Sequence, residues 1–504
     1  MSTVKIGWAK REISSDRPVS IPGQMYQRIS EGIHDPLYVT ALCVDGGEDQ
    51  DKIIFISCDI VTPSKGILQP IRDKLAERRP EIPEEGFILN VTHTHSSVAL
   101  IGEATRSVDG SREVFPGVKT RELFCELAAQ AIIEAWDNRK EGGIAYGYGY
   151  AVVAHSRRVV YFKEEKLAKN TRQYMTPPGY GVMYGNTDDP LFSHYEAGAD
   201  HFLNVMYTFD EKEKLTGVVV NVPCPSQLSE HFTKLSADYW HDVRVMVAKE
   251  FGDDVFVLPQ CAPAGDVSPR VLHYLKAQER RMRLKYDLPY DPSKRTVYNK
   301  VMGERYDIAE RIVEGVKEVY SWAKKDIKTQ VTVRHKVTRM DLERRKITDE
   351  EKAWCEQNLE DLKDMQPSAE GLTSEEYAKA LSNYNSKVRR NRGGLERHED
   401  VKQNPTLQMQ SHTVQIGEIA FATIRFETYI DFMHRLQARS PFLQTFVIQM
   451  AGEEGGNYLA THRGADAKGY SASMFCNMVS ADGGQQWVEN QLAVLNEMKA
   501  EDEA

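Results

Sequence analysis

Apolar and polar residues along this chain follow two periods, and the places where one gives way to the other mark out its elements. Lys52–Ile60 (KIIFISCDI) is a near-continuous apolar run and predicts a buried strand. Gly66–Arg79 places apolar residues at helical spacing, and Gly86–Val91 predicts the next strand. A helix is expected at Thr120–Asn138. Strand, helix and strand in this order make a β-α-β unit, whose two strands are expected to pair in parallel. The pattern returns as the strand Leu215–Val222, the helix Ala237–Phe251 and the strand Asp254–Leu258. It returns again as Ile419–Arg425, the helix Tyr429–Arg439 and the strand Thr445–Met450. The expected fold class is α/β, with mixed, largely parallel sheets layered with helices.

Between Val271 and Gln410 the character changes. Lys276–Lys285, Asn299–Lys325 and Thr348–Met365 are charged and helical in pattern. They predict a charged helical insertion over 271–410, either a solvated outgrowth or a cap over a substrate entrance. Residues 1–270 and 411–504 then form one α/β domain.

Composition narrows the partners. The 504 residues are 27% charged and 41% hydrophobic, which suits a soluble globular chain. A formal charge of −10 argues against nucleic acid or an anionic membrane as the main partner. No apolar run reaches the length of an integral membrane segment, and the start MSTVKI lacks a signal-peptide core. The expected location is cytoplasmic, or periplasmic or secreted if a leader was trimmed. Seven scattered cysteines with no CxxC pair suggest free thiols, one of them available for chemistry.

Candidate chemistry collects after the predicted strands, where open α/β sheets bind ligands. His93-Thr94-His95 follows Phe87–Val91, and two histidines two apart on a strand share a face. Pro223-Cys224-Pro225-Ser226-Gln227 follows the second unit's first strand, and Ala262–Arg270, containing GDVSPR, follows its second. Phe426-Glu427-Thr428 and Gly455-Gly456-Asn457-Tyr458 follow the third pair. Histidine, thiol, hydroxyl, carboxylate and phenol together are compatible with zinc and a nucleophile.

These segments resemble the neutral/alkaline non-lysosomal ceramidase family. The matching stretches are GIHDPLYVTALCVDGG (Gly32–Gly47), SCDI, NVTHTHSS, GDVSPR and NYLATHRGADAKGYSA, spread between about Gly7 and Leu492. The insertion matches least. The resemblance implies His93 as a metal ligand and His95 as a neighbouring histidine that contacts substrate. It implies Ser268 as the nucleophile, Glu427 and Tyr458 as metal ligands, Tyr470 as a second tyrosine lining the site, and Arg157 as a substrate-facing arginine. The family's second metal histidine falls on Cys224 here. A thiolate can bind zinc, so a His93, Cys224, Glu427, Tyr458 site holding Zn2+ is one expectation, and a packed Cys224 with weak or absent metal is the other. His231 is a possible substitute ligand. Asp266 could orient its loop or cap a helix, and Asp35 and Asp59 read as structural or supporting carboxylates.

The activity implied is metal-assisted cleavage of an N-acyl bond: the metal would lower the pKa of a bound water, and the resulting hydroxide would take the proton from Ser268, which attacks a carbonyl polarised by the metal and Tyr458. A mean hydropathy of −0.50 and the lack of a basic amphipathic stretch favour a soluble small molecule over membrane ceramide. A lipid-like or glycoside substrate stays open. Two alternatives remain: a carbohydrate-active enzyme using the same groups, for which a second carboxylate is missing from the list, and a non-catalytic relative.

Overall fold

The computed structural model describes residues 3–163, 174–287 and 297–503; residues 288–296 of the expected insertion lie outside the described residues. Two sheets face each other, with helices on both outer sides. The larger has eight strands, in the spatial order Phe256–Cys261, Leu215–Val222, Phe202–Asp210, Lys140–Tyr150, Lys5–Glu12, Tyr38–Asp45, Lys52–Cys58 and Phe87–Val91. The smaller has four: Val333–Glu343, Thr406–Ile416, Ile419–Ile424 and Gln444–Gln449.

Side-chain alternation builds the layers. In Lys52–Cys58, Ile53 and Phe55 point between the sheets, whereas Ile54, Ile56 and Cys58 face helices. In Ile419–Ile424, Ile419 and Phe421 point inward, and Ala420, Ala422 and Ile424 face the helical layer beyond. Leu68–Arg78 and Gly117–Asp137 cover one half of the large sheet, and Tyr239–Phe251 with Val297–Ala323 covers the other. Ile430–Gln437 and Ala481–Glu503 cover the small sheet. Among the described residues, no helix is long and apolar enough to cross a membrane.

The three expected β-α-β units are present, and each pairs its strands in parallel. The mixed, layered α/β class is therefore observed. Parallel pairing is confined to these units within the two large sheets; the ladders between them are antiparallel. "Largely parallel" is thus corrected to mixed, because Lys5–Glu12, Tyr38–Asp45, Lys140–Tyr150 and Phe202–Asp210 join in hairpin-like order. Nor is 271–410 wholly helical. Val333–Glu343 is the edge strand of the small sheet, and its Arg334, Lys336 and Arg339 carry the charge that protects an exposed edge.

All seven cysteines are free and buried. Cys224 belongs to the apolar cluster with Val218, Val220 and Val222. Burial pushes its thiol well above the ordinary value, as it does for Cys58, and pushes Cys43, Cys261 and Cys355 up to about 12.

Two outcomes are expected. Phe421→Ala, which empties the contact with Phe55 and Phe446 (ring centroids 4.9 and 4.5 Å away), should cost about 3–5 kcal/mol in urea unfolding. A thiol-reactive dye should label no cysteine quickly in the native protein and all seven after denaturation.

Candidate active site

The site forms where strand ends of both sheets meet. Beyond Phe87–Val91 the chain turns sharply, with His93 at φ +61, a left-handed conformation held by its surroundings. His93 Nδ1 lies 2.5 Å from the carbonyl of Val61, the segment that follows the parallel neighbour strand. A carbonyl only accepts, so Nδ1 carries a proton. Nε2 lies 3.2 Å from His95 Nε2, with the rings nearly perpendicular. Gly23 allows His95 this position: at φ +99, a Cβ there would come within 2.7 Å of the ring.

Gln227 ties the two histidines to a guanidinium. Its Nε2 donates to His95 Nε2 at 2.8 Å and lies 3.4 Å from His93 Nε2. Its Oε1 accepts from Arg157 Nη1 and from the Tyr184 hydroxyl, both at 3.1 Å. The donors on one side fix which end of the amide faces the imidazoles.

Arg157 is 1% exposed. Its backbone N–H donates to the Asp266 carbonyl at 3.0 Å. Nη2 donates to the carbonyls of Gly265 (2.9 Å) and Ala264 (3.4 Å), to Glu427 Oε2 (3.2 Å) and to the Tyr458 hydroxyl (3.4 Å). Glu427 and Tyr458 sit opposite each other in a short parallel ladder. Gly265 lets its loop press on that ladder, since a Cβ would meet the Glu427 carbonyl at 2.5 Å. Glu427 Oε2 also lies 3.5 Å from His93 Nε2.

Electrostatics follow from burial and from these contacts. Burial opposes the charge on Arg157, but Tyr458, Tyr184 and Glu427 outweigh it, so its pKa is raised well above the ordinary value. Burial alone would raise Glu427; His93 and Arg157 reverse this and hold it below the ordinary carboxylate value. Burial pushes Tyr458 well up despite Arg157, so the phenol is neutral, accepts from Arg157 and keeps its own proton to donate. Burial, then the nearby His93, Arg28, Arg157 and Arg270, push His95 well below the ordinary imidazole value.

The structure thus brings together His93, His95, Arg157, Glu427 and Tyr458. The Tyr470 ring lies 6.0 Å from that of Tyr458, and its hydroxyl accepts from Arg390 at 3.1 Å. Ser268 pairs with His155 in the ladder beside the Arg157 segment, and its Oγ accepts from the Arg270 N–H at 3.2 Å. No hydrogen bond among the described residues links that Oγ to the histidine pair. Cys224 stands apart: its thiol donates to the Val153 carbonyl at 3.4 Å, away from the group. His231 is half exposed beside Tyr26. Asp35 pairs with Arg305, and Asp59 with Arg244, as structural carboxylates. Asp266 Oδ1 caps the helix that starts at Ile430, at 3.0 Å.

Two participants were not singled out from sequence. Gln227 is the hub described above. Glu230 Oε2 lies 3.7 Å from His95 Nδ1, and its Oε1 pairs with Arg270 at 2.7 Å. Both lie in the segment after Leu215–Val222, where position alone marked them.

The arrangement does not fit a tetrahedral zinc. Among the described residues, no three His, Cys, Asp or Glu side chains converge as ligands. The Arg157 guanidinium fills the focus that Glu427 and Tyr458 share and already balances the Glu427 charge. A dication added there would be repelled in a buried setting.

No family model matches the chain, and no curated protein matches it in sequence. Solved structures do share its fold. A neutral ceramidase from Pseudomonas aeruginosa superposes with a TM-score of 0.65 at 14% identity, covering 99% of this chain and 75% of that one. A ceramidase complexed with C2 matches with the same score and identity, over 99% of this chain and 76% of that one. The fold is ceramidase-like.

Proposed function

We propose that this chain is a hydrolase of the ceramidase type that cleaves an N-acyl bond in a small molecule, using a guanidinium where the resemblance implies a metal. The observation that carries this reading is the buried Arg157, held between the carbonyls of the GDVSP loop and the Glu427–Tyr458 ladder, and joined through Gln227 to the histidine pair.

In this reading the Arg157 guanidinium and the Tyr458 O–H stabilise the negative charge that develops on the carbonyl oxygen. His95, neutral because of its burial, is the proposed base: its Nε2 exchanges the Gln227 N–H for the proton of Ser268. Ser268 is the proposed nucleophile, carried by the loop whose carbonyls hold Arg157. Its Oγ accepts from Arg270 N–H, which leaves its own proton to be given up on attack. The tetrahedral intermediate then collapses: the C–N bond breaks and the amine leaves with the proton that His95 had taken from Ser268. Water, giving its proton to His95, hydrolyses the ester to the free acid and Ser268. Tyr470 lines the acyl or leaving-group side.

A second reading is favoured by one specific observation. Glu230, beside His95, supplies the second carboxylate that glycoside cleavage requires and that the sequence had not pointed to. Screening N-acyl and 4-nitrophenyl glycoside substrates in parallel separates the two.

On the active substrate class, Arg157→Met should lower kcat by about 10²–10³ while the fold persists by circular dichroism. Ser268→Ala should abolish acyl-enzyme formation in a burst assay; full activity in that variant would exclude the serine. A chelator should leave the wild-type rate unchanged, and metal analysis should find less than one zinc per chain. The pH profile should lack an acidic limb near 6.5, because His95 takes up a proton only at a lower pH and its neutral form is the active base.

A further inference from the structure

The helix Ser374–Gln403 carries Arg389, Arg390, Arg392 and Arg397 within the run VRRNRGGLER. Three of them, with Arg344 from the segment after the Val333–Glu343 strand, line a cavity of about 490 Å3 that Met474, Phe475 and Met478 also line, as do the carboxylates of Glu396 and Asp400. Arg392 lines the adjoining recess. In a chain of net charge −10, this is a concentration of positive charge.

That charge is poorly compensated. Of the five arginines, only Arg344 pairs with a carboxylate among the described residues, Asp400 at 2.7 Å. Arg397 is 9% exposed, and its acceptors are the Met474 carbonyl and the Met478 sulfur, neither of them an anion. Among the described residues its Nε has no partner, nor has the Nε of Arg344, and both guanidiniums line the same cavity. Arg390 is spent on the Tyr470 hydroxyl and the Cys476 sulfur. Glu396 is exposed and, among the described residues, forms no ion pair with them, and Asp400 pairs with Arg344 alone. Burial, together with Arg345 and Arg344, lowers the Arg397 pKa to about 10, and the charge of Glu351 opposes this only in part.

A buried guanidinium without an anion costs free energy, and Arg is the side chain best shaped to take a planar or tetrahedral oxyanion by paired N–H donors. We infer that the cavity between the Ser374–Gln403 helix and the Met474–Met478 segment binds an organic oxyanion, a carboxylate or sulfate, with its charged head on Arg397 and Arg344 and its apolar body on Met474, Phe475 and Met478. Arg390 lines both this cavity and, through Tyr470, the wall of the candidate active site. The inference does not depend on the proposed reaction, and binding is read without turnover.

The test is titration of the full chain with sodium sulfate, acetate and octanoate in low-salt buffer, followed by calorimetry and thermal unfolding, with chloride at equal ionic strength as control. Saturable binding with a rise in Tm is expected for all three, with octanoate tighter than acetate because of the apolar wall. Arg397→Met should raise Tm in the absence of anion, by removing an uncompensated charge, and should lose the anion-dependent rise. Arg389→Gln, an exposed rim change that leaves the core intact, should weaken binding about tenfold. No saturable binding beyond chloride, or an undiminished response in both variants, would overturn the inference. Octanoate no tighter than acetate would remove the apolar part of it.

Discussion

The site depends on one constraint: a fully buried guanidinium must find acceptors for all its donors. Arg157 finds them in the carbonyls of Ala264 and Gly265, the amide oxygen of Gln227, the carboxylate of Glu427 and the phenol of Tyr458. They come from three separate places, the Ala264–Gly265 loop, the segment after Leu215–Val222 and the Glu427–Tyr458 ladder, so the cation sets the spacing of all three. Removing it would leave the Glu427 carboxylate buried without its counter-ion, which is costlier than the loss of a single contact. The next residue repeats the device: Arg158 is buried against Glu196 and the Gly464 and Lys468 carbonyls, fixing the segment that leads to Tyr470.

Charge accounting explains why the same framework would treat a metal differently. Glu427 and Arg157 together are close to neutral, and Tyr458 and His95 are both kept uncharged by burial. The site presents one cationic fork, two neutral groups that can hold or give a proton, and an amide between them. A fork holds an oxyanion by direction, whereas a metal would hold it by charge. In the proposed reading the chemistry therefore depends on hydrogen-bond geometry being right before substrate arrives.

Much of the layered fold was legible in the sequence because its β-α-β units carry clear periods: the expected strands at Lys52–Ile60, Leu215–Val222 and Thr445–Met450 match the observed ones to within a few residues. The antiparallel strands were less legible, since Lys140–Tyr150 is rich in glycine and tyrosine and Val333–Glu343 is masked by charge. At the site, the histidine pair and the GDVSP loop stood out as motifs. Cys224 was open to two readings, and the two-residue period decides between them: it continues the face of Val218, Val220 and Val222, which looks to the helices and not to the site. Gln227 and Glu230 were hidden for a different reason. Their role comes from a loop that doubles back past the strand end, and no local period encodes such a path.

The site also straddles the two sheets. His93, Gln227 and the Ala264–Asp266 carbonyls hang from the ends of large-sheet strands, whereas Glu427 and Tyr458 follow strands of the small sheet. One set is fixed against the other by the apolar layer between the sheets, where Phe55, Phe421 and Phe446 interlock, and by polar ties such as Asn221 Nδ2 to the Val447 carbonyl and the Ala264 N–H to Gln449 Oε1, both 3.0 Å. A slip of even an ångström there would stretch the 3.2 Å contact between Arg157 and Glu427 past hydrogen-bonding range. Close packing resists such slips because interiors have few voids to yield into. The phenylalanine layer therefore helps to hold the guanidinium and the carboxylate in register.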